Sequence, residues 1–488
     1  MKSYKSFIKF FLLLFILKVF TGCESYLDLY PETQLTQGVY YNNETEFIRA
    51  ADDVYRQLTR VYNAGSVSDL FGELFSDNVE IVFAAGGNSW PEDINTHRIK
   101  TDNGKIRSAW QTAYSALFLT NNVIDQLDKT SVEFETPNLK QRLRAEAVFV
   151  RSVIFFNLVQ AFGDIPMPLN AVSPDESYKY LRVDKKTVYQ QIIDDLKSCK
   201  DALPPSYTGT NIGRATSYAV SAFLAKTYLL NSDHTSAQTE LKRIIDSGFY
   251  SLDANNNGVI DESDYAYLFH ESTKNCKESI FEIQYLAGAN QVNSGHQGAY
   301  TPFHHAFHLP GSTQTWRGEG MNTPNDDIIG EYEPGDPRKD ISIYPGYVNL
   351  DNDLFVDYPF TMKFYDPNWQ NPGQNFEAVR YADILLLYSE VTNDPSYLNQ
   401  VRARVGLPAF GSAGYPSEYD TLEKAIEHER RVELAFEFHR MFDLVRTGRA
   451  LTVLNSKGFN LSANSLLFPL PQIEIDINPG LTQNDAYK

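Results

Sequence analysis

The stretch Asp253-Ala254-Asn255-Asn256-Asn257-Gly258-Val259-Ile260-Asp261-Glu262-Ser263-Asp264 has the spacing of a twelve-residue calcium loop. A hard cation takes oxygen ligands, and Asp253, Asn255 and Asn257 offer them at the first, third and fifth positions. Val259 would add its backbone carbonyl, and Asp261 and Asp264 would close the shell. Gly258 permits the sharp reversal that wraps chain around an ion. Asp264 has a shorter arm than the usual Glu, and two Asn lower the ligand charge, so the expected Ca2+ is weakly held and structural. It would staple the helix ending near Gly248 to Tyr265, Leu268 and Phe269. The competing reading is an Asn/Asp-rich turn without metal.

A second chemistry is recognition of neutral sugars, which needs flat aromatic faces beside amides, carboxylates and Arg. Trp90, in Gly86-Gly87-Asn88-Ser89-Trp90-Pro91, and Trp316, in Gln314-Thr315-Trp316-Arg317-Gly318, stand in loops too polar for a core. Asn88, Asp77, Tyr300 and Arg317 are their candidate polar neighbours; the alternative is that each Trp only pins its own loop. Trp110 lies on a helical face and reads as core, while Trp369 fits either setting. His304 and His308 would share a helix face with His305 between them, but Pro302 and Pro310-Gly311 bracket them and no acid is near. Loop packing or hydroxyl recognition suits them better than metal. Glu433 and Glu437 lie one turn apart, as an acid/base pair might, yet Arg430 and Arg440 each stand three residues away. Ion pairing explains that run better than catalysis. His428-Glu429 is followed by Val432 where a zinc protease needs its second His, and no nucleophile elbow, P-loop or dinucleotide fingerprint is present.

These residues need a scaffold, and the periodicity predicts a helical one. Phe47, Ala51, Val54, Leu58 and Val61 mark one helix, with Asn43 and Glu46 spaced as a capping box. Further helices are expected over 109–127, 143–158, 185–202, 215–231, 234–247, 378–392, 396–405 and 421–446. Between 251 and 375, Gly, Pro, Asn and Asp cluster, and only Phe281, Ile283 and Tyr285 alternate as a strand. The division expected is a helical part over 45–250, a loop-rich ligand-binding insertion over 251–375, and a second helical part over 376–488. Small residues between antiparallel helices suggest tetratricopeptide-like hairpins in an all-α fold.

The first 22 residues read as a signal peptide: Lys2, Lys5 and Lys9, then an apolar run from Phe10 to Phe20, broken only by Lys18 and too short to span a bilayer. Thr21-Gly22-Cys23 resembles a bacterial lipoprotein processing site, which implies a covalent lipid on Cys23 and a tether over 23–44. No other apolar run is expected to be long enough to cross a membrane. Cleavage removes four lysines and no acids, so the charge moves from −19 to −23. Such a chain repels phosphate backbones, which excludes nucleic acid as a partner. Cys199 and Cys276 give no disulfide framework and read as separate thiols.

Several segments in order resemble the SusD/RagB family of Bacteroidetes outer-membrane lipoproteins. They run from Ala145-Glu146-Ala147, Phe162-Gly163-Asp164-Ile165-Pro166 and Gly213-Arg214-Ala215-Thr216 to Glu278-Ser279-Ile280-Phe281-Glu282 and Asp336-Pro337-Arg338. They continue through Arg380-Tyr381-Ala382-Asp383, Arg402, Arg404, Glu429-Arg430-Arg431, Glu433, Arg440, Asp443, Arg446, Phe468-Pro469 and Asn478-Pro479. One departure is Glu437-Phe438-His439, where the family more usually has Glu-Gly-x. The resemblance implies four tetratricopeptide-like hairpins, a variable loop region and no catalysis. It implies a SusC-like TonB-dependent outer-membrane transporter as partner, on which the protein sits as a lid at the cell surface and to which it delivers oligosaccharide. A lipoprotein glycoside hydrolase, or a structural lid with no ligand site of its own, are the alternatives; the first would need a convergent carboxylate pair in the loops.

Overall fold

Helices dominate, and several begin where the sequence supplies a cap. The computed structural model describes residues 41–82, 89–368 and 370–488. Cys23, Asn88 and Trp369, named above, lie outside the described residues, as does the signal segment. Helix α1 (Glu44–Tyr62) is capped by the Asn43 side chain on the Glu46 N–H, while Glu46 reaches back to the Asn42 N–H rather than to Asn43. Helices α2 (Gly104–Lys129), α3 (Leu139–Phe162), α4 (Lys185–Lys200), α5 (Ser217–Leu230) and α6 (His234–Asp246) follow. Asn103, Asp184, Thr216 and Asp233 cap α2, α4, α5 and α6 in the same way. Each helix packs on the next, and α6 passes the stack on to the C-terminal helices.

Helix α3 corrects one expectation. It is long and apolar enough to cross a membrane, with mean hydropathy 1.4 over its most apolar window, of which 89% is buried inside the protein. It is apolar on all sides because α1, α2, α4 and α5 surround it.

Among the short strands, those that matter for the loop region are β1 (Val79–Glu80), β2 (Ser279–Ile283), β3 (Phe307–His308), β4 (Thr315–Trp316), β5 (Thr323–Pro324), β6 (Tyr347–Val348), β7 (Phe355–Val356) and β8 (Phe376–Arg380). They pair antiparallel as β1 with β5, β2 with β8, β3 with β4 and β6 with β7. The helix expected from 378 therefore starts later. Residues 376–380 are held as a strand against β2, and α8 (Tyr381–Thr392) begins after them, followed by α9 (Pro395–Arg404).

The helix expected over 421–446 is two: α10 (Leu422–Glu433) and α11 (Arg440–Arg446). Between them Phe436 and Phe438 both take positive φ, +67° and +61°. A Cβ on Gly72 would lie 2.2 Å from the Phe438 carbonyl oxygen, so this break fits only against a bare glycine on the π-helical turn Leu70–Leu74. Position 438 is thus a left-handed site that suits glycine, filled here by a ring that stacks on Phe376 with centroids 4.6 Å apart.

The ion pairs expected on this helix form, but with distant partners. Arg430 pairs with Asp383 and Asp443, not with Glu433. Glu433 accepts from Arg338, Arg380 and Arg404; Glu437 accepts from Arg380 and Lys363; Glu278 joins Arg380 and Arg404. All these side chains are buried, so β2, the 336–363 segment and helices α9 and α10 are locked by one charged cluster.

Because Phe438 carries both strain and stacking, Phe438→Ala should cost about 3–5 kcal/mol of unfolding free energy. Phe438→Gly should cost about 1 kcal/mol less than the Ala variant, reversing the usual order of Ala and Gly. Urea unfolding of both variants checks this; Gly worse than Ala would refute the assignment of strain.

Candidate functional site

Two hairpins carry the loop face. In β3–β4 Phe307 stands opposite Trp316, and in β6–β7 Val348 stands opposite Phe355. The hairpins lie side by side through β3 and β6. Alternation along the strands sends Phe307, Tyr347 and Val356 inward, where Leu309, Tyr358 and Phe360 complete a hydrophobic cluster separate from the helical core. Trp316 packs at its edge, half-buried, and its indole N–H donates to Thr301 Oγ1 at 2.6 Å. Arg317 beside it is exposed. His305 Nδ1 lies 2.9 Å from the Tyr347 hydroxyl, and the His304 ring stands edge-on to His305 at 4.3 Å. His308 meets the Gln314 carbonyl at 3.1 Å across its own hairpin. The contacts of His305 and His308 are thus with the hairpin loops.

The outer side of the second hairpin was not legible as a site. Phe355 is 60% exposed, and Tyr344, just before β6, is 37% exposed. Asn352, Asp353 and Asp357 are exposed around Phe355. The available signal was an aromatic residue inside an Asp/Asn run, but only strand register tells which way it faces.

Trp90 is 37% exposed and belongs to another place in the fold. Its ring lies against Gly104 at the start of α2, where any Cβ would overlap it, and its carbonyl accepts from Asn103 Nδ2 at 3.0 Å. It therefore pins the loop–helix junction while leaving surface open. Trp110 is core, 3% exposed, as its helical face predicts.

Two expected neighbours turn inward and must be withdrawn from the ligand face. Tyr300 is 2% exposed, packed on Phe364 and Phe438, with its hydroxyl directed at buried Asp69. Asp77 is fully buried and pairs with Arg440 at 2.7 Å, Arg431 at 3.2 Å and Lys457 at 3.5 Å. Burial alone would raise its pKa, but those three cations hold it far below the usual carboxylate range.

The same arginine-rich surface of α10 holds Glu331 and Glu333. Burial pushes both carboxyls up, yet His428 with Arg431 on one and His428 with Arg402 on the other bring each down to about 2. His428, stacked on Tyr419 at 3.9 Å, is lowered by burial but raised overall by these carboxylates. Glu333, His428 and Glu429 are the one trio of Asp, Glu, His or Cys ligand atoms gathered within 4.8 Å among the described residues. Arg338 and Arg402 already neutralise its acids, so it reads as an ion network rather than a metal centre. Glu433 and Glu437, saturated by arginine and lysine, are likewise spent as acid/base candidates.

The 253–264 segment folds as a ring closed on its own backbone. Asp253 accepts from the N–H groups of Asn257 and Gly258 at 3.0 and 2.9 Å, and Asn257 accepts from Val259 at 2.7 Å. Asp264 spans the ring, accepting from Asn255 and Asp261, both at 3.1 Å. Gly258 has φ +89°, as the reversal requires. Asp261 caps the short helix α7 (Glu262–Tyr267).

The molecule is a stack of helical hairpins that displays an aromatic, loop-built face. The residues 25–229 match a family model described as starch-binding, associating with outer membrane, and 312–487 match that of the SusD family. The chain belongs to the SusD/RagB family. SusD-like protein P2 of Formosa agariphila is 27% identical with 99% of both chains covered. A SusD-like protein of Bacteroides ovatus is 22% identical over 89% of this chain and 81% of its own. Among solved structures, a laminarin binding SusD-like protein superposes with TM-score 0.76 at 24% identity, covering 92% of this chain and all of the other. Surface glycan-binding protein A from Bacteroides thetaiotaomicron, in complex with laminarihexaose, gives TM-score 0.74 at 21% identity, covering 91% and 99%. These likenesses establish the helical-hairpin fold.

The ion pairs fix the acid response. Asp77, Glu331 and Glu333 are depressed on folding, so the stability they add is complete above about pH 4.5 and drains as pH falls toward 2. His428, raised on folding, contributes below its unfolded value of 6.5 and loses that contribution as pH rises through its folded value. Asp77→Ala should cost about 3–5 kcal/mol at pH 7, because Arg440 and Arg431 lose their buried counterion. It should also flatten the acid limb; an acid limb as steep as that of the unsubstituted protein would refute the role of Asp77.

Proposed function

We propose that this chain binds neutral oligosaccharide on the face built by β3–β4 and β6–β7, without turning it over. The observation that carries the reading is half-buried Trp316 at the edge of the hairpin cluster, with exposed Arg317 and His304 in the same loop region and a next hairpin that exposes Phe355 on its outer side. Such a set offers aromatic surface beside charged and hydrogen-bonding groups, which is what a sugar ring requires. Trp90, exposed at the start of α2, would be a stacking contact separate from this face. Family membership and the solved relatives named for laminarin or held with laminarihexaose make β-glucan oligosaccharides the first ligands to test. The role extends to delivery into a SusC-like TonB-dependent transporter at the outer membrane, with the protein held at the cell surface by lipid on Cys23.

Titration calorimetry with a panel of oligosaccharides, laminarihexaose included, tests the site. Arg317→Ala should weaken binding about tenfold with an unchanged melting temperature, since nothing in the fold leans on that exposed side chain. Trp316→Ala should weaken it about tenfold and also lower the melting temperature, because the indole ties its loop to Thr301. Unchanged affinity in both variants would refute this face. Release of shorter sugars during the titration would mark a hydrolase, and no binding across the panel a structural lid.

We propose further that Asp253, Asn255, Asn257, Val259, Asp261 and Asp264 hold a structural Ca2+. The support is the match of all six positions to the calcium-loop spacing, with Gly258 at the turn and Asp264 bridging both ends of the ring. Calcium should raise the melting temperature of the native chain and not that of Asp253→Ala. No heat on titration and no thermal shift would overturn it.

A further inference from the structure

Glu282 on β2 and Glu377 on β8 are buried acids that stand outside the arginine network. They lie directly opposite each other in the antiparallel register, so both side chains leave the same face of the two strands. They are 2% and 6% exposed. No lysine or arginine of the described residues pairs with either carboxyl. Arg380, on the same strand as Glu377, is spent on Glu278, Glu433 and Glu437. Arg214, in the cleft that Glu282 lines, is spent on Glu146 and Asp52, and Lys274 on Glu271. The other titratable groups facing the pair add no positive charge. Glu437 is an acid already held by Arg380 and Lys363, and burial pushes the Cys276 thiol up to about 11, which keeps it neutral. Two like charges in this setting cannot both stay dry.

The hydrogen bonds distinguish the two acids. Both oxygens of Glu282 accept: Oε1 from the Asn275 N–H at 2.5 Å and Oε2 from Asn375 Nδ2 at 2.6 Å. Two such donors call for an ionised carboxylate. Glu377 Oε1 accepts from Ser279 Oγ at 3.0 Å, whereas Glu377 Oε2 is buried and receives no donor. The two carboxyls lie within hydrogen-bond reach of each other. A proton on Glu377 Oε2 turns that orphan acceptor into a donor to Glu282 and removes the second charge at once. Burial, and after it the facing Glu282, hold the Glu377 carboxyl well above the usual carboxylate range, the direction this arrangement requires. Carboxyls in hydrogen-bond contact are closer than the separation of about 5 Å that a retaining glycosidase keeps, so the pair lacks the geometry for glycoside hydrolysis.

We propose that Glu282 and Glu377 share one proton, carried by Glu377, which clasps β2 to β8 and is lost as the pH rises. The strand register slips beside the pair, between Glu377 and Val379, so the backbone ladder is weaker there and the side chains carry more of the pairing. Glu278, next to β2, and Arg380, at the end of β8, join the buried charged cluster. Two ionised carboxylates face to face would therefore strain the strands from which that cluster is built. Unfolded Glu377 ionises near its ordinary value of 4.5, whereas the folded group keeps its proton to higher pH. Its contribution to stability is complete below about pH 4.5 and drains as pH rises through the folded value.

Glu377→Gln tests the assignment, because an amide N–H donates to Glu282 as the proton does but does not titrate. From about pH 5 upward, the unfolding constant of the unsubstituted chain in urea should rise about tenfold per pH unit faster than that of Glu377→Gln, until the folded group ionises. Parallel pH profiles, or a Glu377→Gln chain that no longer folds, would overturn the clasp. Glu282→Gln gives a second readout. It should be destabilised at every pH, up to complete unfolding, because one amide oxygen cannot serve the Asn275 and Asn375 donors as two carboxylate oxygens do. A Glu282→Gln chain as stable as Glu377→Gln at pH 7 would overturn the placement of the proton. The infrared difference between the unsubstituted chain and Glu377→Gln at pH 7 should carry the C=O stretch of a protonated carboxyl; carboxylate stretches alone would refute it.

Discussion

The structure depends on keeping a set of charges dry. Glu433 sits in the interior with three arginine side chains around it, from the 336–338 turn, the end of β8 and the end of α9. Stripping water from such ions costs several kcal/mol each, and their mutual attraction offsets that only when every partner is in position. The cluster is therefore an all-or-none constraint: Arg380 alone bridges Glu278, Glu433 and Glu437, so moving one element leaves buried charge on three others. Its contribution is best understood as fixing one arrangement of segments rather than as added stability.

That constraint explains how a loop-rich stretch can hold a defined surface. Residues 251–375 contain few long elements, yet Glu278, Arg338 and Lys363 pin them to α9, α10 and the following turn at widely separated points. Between the pins, hairpins β3–β4 and β6–β7 fold around a hydrophobic cluster of their own. The ion-paired scaffold and the displayed face are thus held separately, the face by a small hydrophobic core of its own. The break at 434–439 belongs to the same system: it lets Glu437 swing to Arg380 and Lys363 while Phe438 stacks on Phe376.

How far the sequence could be read follows from the range of each interaction. Caps and helical stripes act within a few residues, and Asn43 caps the first helix where that signal puts it. Arg430, Glu433, Glu437 and Arg440 were recognisable as ion-pairing residues, but their spacing suggested local pairs, and the actual partners lie far along the chain. Asp77 and Tyr300 were misread for the same reason: a polar residue in a polar stretch looks exposed until another segment closes over it. Trp316 stood out because tryptophan in a polar loop is a strong local signal, and it packs at the edge of the hairpin cluster, whereas the exposure of Phe355 is a matter of strand register.

By itself, then, the sequence determined the helical hairpins, the family, the acidic charge balance and the chemical types available to a site, because these rest on periodicity, composition and motif. Tertiary structure alone decided which carboxylates became buried counterions, that the 421–446 segment breaks in two, and which aromatic faces meet solvent. Those outcomes depend on desolvation, and desolvation is set by what packs on top of a residue, not by its neighbours in the chain.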